Sequence, residues 1–103
     1  MSSIAGTIPA GGEFSAQVNS TFTARLDDGP EFSVCLVNVD VRQSDDQVDN
    51  FSLEFRVPVE MPQAQAIFHL EHPELAEMDL FMVPVRQDAD GLYFEAIINR
   101  FLN

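Results

Sequence analysis

Lysine is absent from this sequence. The five cations are all arginine (Arg25, Arg42, Arg56, Arg86 and Arg100); they face 17 acidic residues, giving a formal net charge of −12. That balance disfavours binding to a phosphate backbone, which needs clustered cations to displace condensed counterions. It equally disfavours an anionic membrane surface. Tryptophan is also missing, and cysteine occurs once, at Cys35. A single thiol excludes an intrachain disulfide framework and fits a reducing cytoplasm. No apolar run approaches the roughly eighteen residues needed to cross a bilayer. The opening MSSIAGTIPAGG has neither a basic n-region nor an apolar h-region, so no signal peptide is expected.

What the chain does hold is core material. Of its 103 residues 46% are apolar and nine are Phe, enough for one packed domain without disulfide or metal staples. Residues 1–12 are small, polar and glycine-rich, and read as a flexible N-terminal arm; residues 13–103 read as a single β domain with no internal repeat. Ile4 and Ile8 in the arm, with Phe101 and Leu102 at the other end, are candidate partner-contact residues.

The hydrophobic pattern is mostly of period two. In EFSAQV, Phe14 and Val18 are spaced for one helical turn or an irregular lead-in. TFTARL alternates through Phe22, Ala24 and Leu26, and the turn letters Asp27, Asp28, Gly29 and Pro30 follow. EFSVCLVNVDVR changes phase, from Phe32, Val34 and Leu36 to Val37, Val39 and Val41. A bulge or bend near Leu36 and Val37, or cover on both faces, would reconcile the two. QSDDQVDN reads as an eight-residue loop, after which FSLEFRV alternates cleanly. AIFHLEH, AEMDLFMVPV and GLYFEAIINRF supply three more strands. PELAEMDLFM also fits a helix opened by Pro73, but the alternation in MDLFMVPV favours a strand. The expected fold is all-β: a small barrel or sandwich of about six mainly antiparallel strands with at most one short helical turn.

Candidate chemistry is sparse. HLEHPEL holds both histidines, but on a strand His69 and His72 point to opposite faces, and Pro73 biases His72 away from helical dihedrals. His72 and Pro73 therefore read as a strand end and corner, with His72 bonding to backbone. Zinc normally takes four ligands, mostly Cys and His, and the chain has three such residues. In QDADG, Asp88 and Asp90 before Gly91 resemble part of a calcium loop. With Gly91 at its sixth position, however, the first and twelfth would be Arg86 and Ile97, so Asp90 and Gly91 read as a β-turn. The acids Asp45, Asp46 and Asp49 could hold a hard cation weakly, and a solvated loop predicts the same letters. Cys35 lies amid VCLV, where a lone cysteine behaves as a small hydrophobe. With no phosphate-cradling glycine loop and no nucleophile motif, neither an enzyme nor a cofactor is expected.

Three blocks carry a resemblance. Leu70–Glu77 match Leu-Glu-His-Pro-Glu-Leu-Gly-Glu, Phe81–Val85 match Phe-Leu-Val-Pro-Val, and Asp88–Gly91 match Asp-Ala-Asp-Gly. With the Phe14, Val18, Phe22 spacing, residues 14–98 resemble an uncharacterised small domain family of bacteria and phages whose members often accompany phage-tail-collar-type proteins. Ala76 replaces the family glycine, and Tyr93–Phe94 replaces a lone aromatic. The resemblance transfers no catalytic residue. It implies a non-enzymatic structural or adaptor part of a phage tail, tail fibre or tail-like particle, made in the bacterial cytoplasm. Its partners would be other tail or particle proteins or further copies of itself, with neither nucleic acid nor membrane. The alternative, from the charge alone, is an acidic inhibitor that mimics DNA in a basic cleft. A calcium-stabilised module is a third reading.

Overall fold

A computed structural model describes residues 9–27, 29, 31–45, 47–58 and 64–101. Its elements are a one-turn helix α1 (Gly11–Ser15) and six strands: β1 (Thr21–Arg25), β2 (Glu31–Ser44), β3 (Val48–Val57), β4 (Ala66–His72), β5 (Leu75–Asp88) and β6 (Gly91–Phe101). All pairings are antiparallel, and the order β1-β2-β3-β6-β5-β4 closes on itself through β1 and β4. Of the two forms expected, this is the barrel. Two meanders of three strands, β1-β2-β3 and β4-β5-β6, meet along two seams. The β3–β6 seam has ten paired positions and the β1–β4 seam has three.

Closure works because each strand supplies an inward apolar file. Phe22 and Ala24 in β1, Phe51, Leu53, Phe55 and Val57 in β3, and Met78, Leu80 and Met82 in β5 alternate with exposed or half-buried residues, save for the buried Ser52 between Phe51 and Leu53. The period-two spacing in β5 decides against the helix that PELAEMDLFM also permits. Phe14, Phe22, Phe51, Phe55, Phe68 and Phe94 are fully buried, and each is worth about 1.5–3 kcal/mol in transfer free energy. The phase change of β2 is a bulge: pairing with β3 steps from Leu36↔Phe55 to Asn38↔Glu54, leaving Val37 as the extra residue. Val34 and Leu36 face inward before it, and Val39 and Val41 stand opposite the inward Leu53 and Phe51 after it.

The eight-residue loop is much shorter than expected, because β2 runs to Ser44 and β3 starts at Val48. Asp45 closes the turn: its Oδ1 accepts N–H donations from Gln47 and Val48, both at 2.9 Å. The Gln47 bond first, then a 3.1 Å donation from Gln43 Nε2 to Asp45 Oδ2 and the Val48 bond, lower the Asp45 pKa from its ordinary value. Of the aspartates read as loop letters, Asp45 is exposed at the hairpin end, whereas Asp49 lies in β3 opposite Ser44 and is buried.

The described end of the presumed arm, residues 9–12, is structured. Pro9 and Gly11 are buried, and α1 begins at Gly11. Glu13 accepts the Ala10 N–H at 3.0 Å, and Phe14 packs on Phe51 with ring centroids 5.7 Å apart. Gly11 permits this approach, since a Cβ there would stand 3.1 Å from the Phe51 ring and 3.2 Å from Val41.

Candidate functional site: a cleft between two splayed strands

The central strand of the second meander changes partner halfway. Residues up to Met82 of β5 pair with β4, and Val83–Asp88 pair with β6. Beyond Val83↔Glu95, β6 stays with β3 as far as Phe101, while β5 stays with β4. The two strands therefore part, and a cleft of about 400 Å³ opens between residues 79–83 and residues 95–99. Strand edges without ladder partners present main-chain donors and acceptors along their length.

Side chains at the cleft follow strand alternation. Leu80, Met82, Ala96 and Ile98 turn into the core. Phe81 and Ile97 stand outside, 56% and 67% exposed, and Ile67, opposite Phe81 on β4, extends the apolar strip at 49%. Asp79 and Glu95 supply the acidic rim. The cleft was missed in the sequence. The signal of its exposed apolar surface was apolar letters at both parities, Phe81 between Leu80 and Met82, and Ile97 between Ala96 and Ile98. A strand with one wet face needs only one such file.

At the edge of this surface Asp79 bonds His69, whose Nδ1 lies 2.6 Å from Asp79 Oδ1 and whose Nε2 lies 2.7 Å from Asp27 Oδ1. A carboxylate only accepts, so both ring nitrogens donate and the imidazole is held as the cation. The bond to Asp27 first, then that to Asp79, raises the His69 pKa above 6.5. The second polar cluster of the outer wall is centred on Arg86. Its Nε donates to Glu54 (3.0 Å) and its Nη1 to Asp88 (3.3 Å), with the guanidinium carbon 3.7 Å from the Tyr93 ring centroid. A bulge between Pro84 and Arg86 aims this side chain.

His72 lies on the opposite face from His69, as alternation requires, with its ring 4.5 Å from that of Phe22. It also stands 2.9 Å from Ser20 Oγ, a Ser–His pair that only the fold brings together. The direction of the bonds decides its chemistry. Glu74 N–H donates to His72 Nδ1 at 3.0 Å, so Nε2 carries the proton and donates to Ser20, whose hydroxyl in turn donates to the Gln17 carbonyl at 2.6 Å. A base that activates serine must accept that hydroxyl proton. Here the imidazole donates instead, and the pair fastens the start of β1 to the β4–β5 corner.

The other expected positions are placed as follows. Pro73 and Glu74 form the turn between β4 and β5, and Ala89 and Asp90 the turn before Gly91, where Asp88 Oδ1 accepts the Asp90 N–H at 2.8 Å. Gly91 has φ +149, and a Cβ there would meet the Val57 carbonyl oxygen at 2.7 Å, so glycine is required. Cys35 is half-buried in β2, with Sγ 3.9 Å from the Leu36 carbonyl. Among the described residues, no three of His, Cys, Asp and Glu converge as a metal site. Ile4, Ile8, Leu102 and the side chain of Phe101 lie outside the described residues; the Phe101 backbone ends β6 opposite Val48.

No curated protein and no solved structure matches the chain. A family described as a domain of unknown function, DUF6916, matches residues 11–98, which run from the first residue of α1 through all of β1 to β5 and most of β6. The match covers the packed barrel and the walls of the cleft except Asn99, and the chain belongs to this uncharacterised family.

Proposed function

We propose that the protein is a non-enzymatic contact module, a structural or adaptor component of a phage tail, tail fibre or tail-like particle. The observation that carries the first part is the cleft between β5 and β6, with Phe81 and Ile97 exposed beside strand edges that are not paired to each other. Large apolar side chains grouped at an open edge mark contact surfaces in soluble domains. The barrel interior is filled by Phe, Leu and Met side chains, so recognition falls to its outer wall. The placement in a tail assembly rests on the resemblance of Leu70–Glu77, Phe81–Val85 and Asp88–Gly91, which map to the β4–β5 corner, one wall of the cleft and the β5–β6 turn.

The test is sedimentation of tagged protein with purified phage or tail-like particles from its host, followed by cross-linking mass spectrometry. The expected result is stoichiometric association, with cross-links to a particle protein. A chain that stays monomeric and soluble while intact particles form in its absence would overturn the reading.

A further inference from the structure

The cleft is bounded by strand segments 79–83 and 95–99, of which Val83 and Glu95 pair with each other at its closed end and the four residues beyond each do not. At about 3.3 Å per residue, an extended segment of four or five residues matches their length. Met82 and Ile98 already occupy the core beneath, so inward side chains of such a segment must be small or medium and apolar. Its outward side chains would lie beside Phe81 and Ile97, near Glu95 and near Asp79, whose Oδ1 already accepts from His69; the lining itself includes no Arg. Arginine and lysine suit those positions, because their stems cover apolar surface while their heads reach carboxylates. A second copy of this chain fits poorly: it has no lysine and would bring a further charge of −12 to an acidic rim.

We propose that this cleft is a strand-acceptor site for a basic partner segment, apolar at alternate positions with Arg or Lys between them, which inserts between β5 and β6 and completes the ladder. The proposal rests on the reading of the protein as a contact module and names the partner's chemistry. Main-chain bonding supplies affinity and the alternating side chains supply selectivity.

The probe is a synthetic peptide with an (Arg-Val)₃ core, titrated into the full chain by fluorescence anisotropy and by amide shift mapping. Two controls are an (Glu-Val)₃ peptide and the basic peptide N-methylated at alternate positions, which cannot form a ladder. Expected are binding by the basic peptide, amide shifts concentrated in residues 79–83 and 95–99, and roughly tenfold weaker binding on N-methylation or in Phe81→Asp and Ile97→Asp. Both substituted sites are exposed, and a preserved thermal transition certifies the fold. Binding that ignores N-methylation and both substitutions would be unspecific charge attraction and would overturn the proposal. Dimerisation through the cleft would overturn it in favour of a second copy. Failure of the peptide with retained particle association would sink the strand-acceptor assignment alone, whereas peptide binding without particle association would sink only the tail assignment.

Discussion

His69 Nδ1 lies 2.6 Å from Asp79 Oδ1, directly across the β4–β5 pair. With Asp27 on its other nitrogen, the ring is clasped between carboxylates from two different hairpins.

The clasp makes stability depend on pH with a definite sign. The folded His69 pKa is raised above 6.5, so its contribution is fully present below the unfolded value and is lost as pH rises through the folded one. The thermal midpoint should carry a component that falls on the alkaline side of pH 6.5, and His69→Gln should remove that component. Titration of the His69 ring protons by NMR gives the direct check; a midpoint at or below 6.5 would contradict the geometry.

Phe14 is the only fully buried large side chain from outside the strands among the described residues, and it seals the barrel over Phe51. Phe14→Ala should cost about 3–5 kcal/mol in denaturant unfolding, since the closed sheet cannot collapse into the space left. A loss below about 1 kcal/mol would mean that α1 is dispensable to the core.

Gly91→Ala places a methyl group against the Val57 carbonyl in a backbone region that L residues avoid. The expected cost is about 2 kcal/mol or more, read from the same unfolding curves. Gly12, which has open space around its Cβ position, is the control: Gly12→Ala should be nearly neutral or mildly stabilising.

Ser20 should not label with a fluorophosphonate, because its hydroxyl proton is committed to the Gln17 carbonyl and His72 donates to it. Ser20→Ala should lower stability by about 1 kcal/mol, consistent with loss of a partly buried hydrogen bond. Rapid labelling would show that the bonding order of Ser20 and His72 reverses in solution.

Much of this fold could be read from letters alone. The swap of parity between Leu36 and Val37 marks the place of the β2 bulge, because an extra residue there puts Val39 opposite the inward Leu53. Alternation at Met78, Leu80 and Met82 distinguishes strand from helix even after a proline-led start. The hairpin end at Asp45 was harder, since aspartates suit both a loop and the wet face of a paired strand. The doubled apolar parity around Phe81 and Ile97 was a signal of exposed apolar surface, but not of a cleft. Where β5 exchanges β4 for β6 is decided by barrel closure, so Phe81 and Ile97 do not read as cleft residues until their neighbours are known. Ser20 and His72, separated by 52 positions, and Asp27 and His69, by 42, meet only through the β1–β4 seam.

That seam is the barrel's zip. Three register positions, Thr23↔Glu71, Ala24↔Leu70 and Arg25↔His69, join the two meanders there, against ten on the other side. If the cylinder breathes, it opens here before it opens elsewhere, and amide protons of β1 should exchange with solvent sooner than those of β3. The bond from His69 to Asp27 is a catch sewn across that opening, so an alkaline shift would loosen the cylinder along one line and leave its far wall shut.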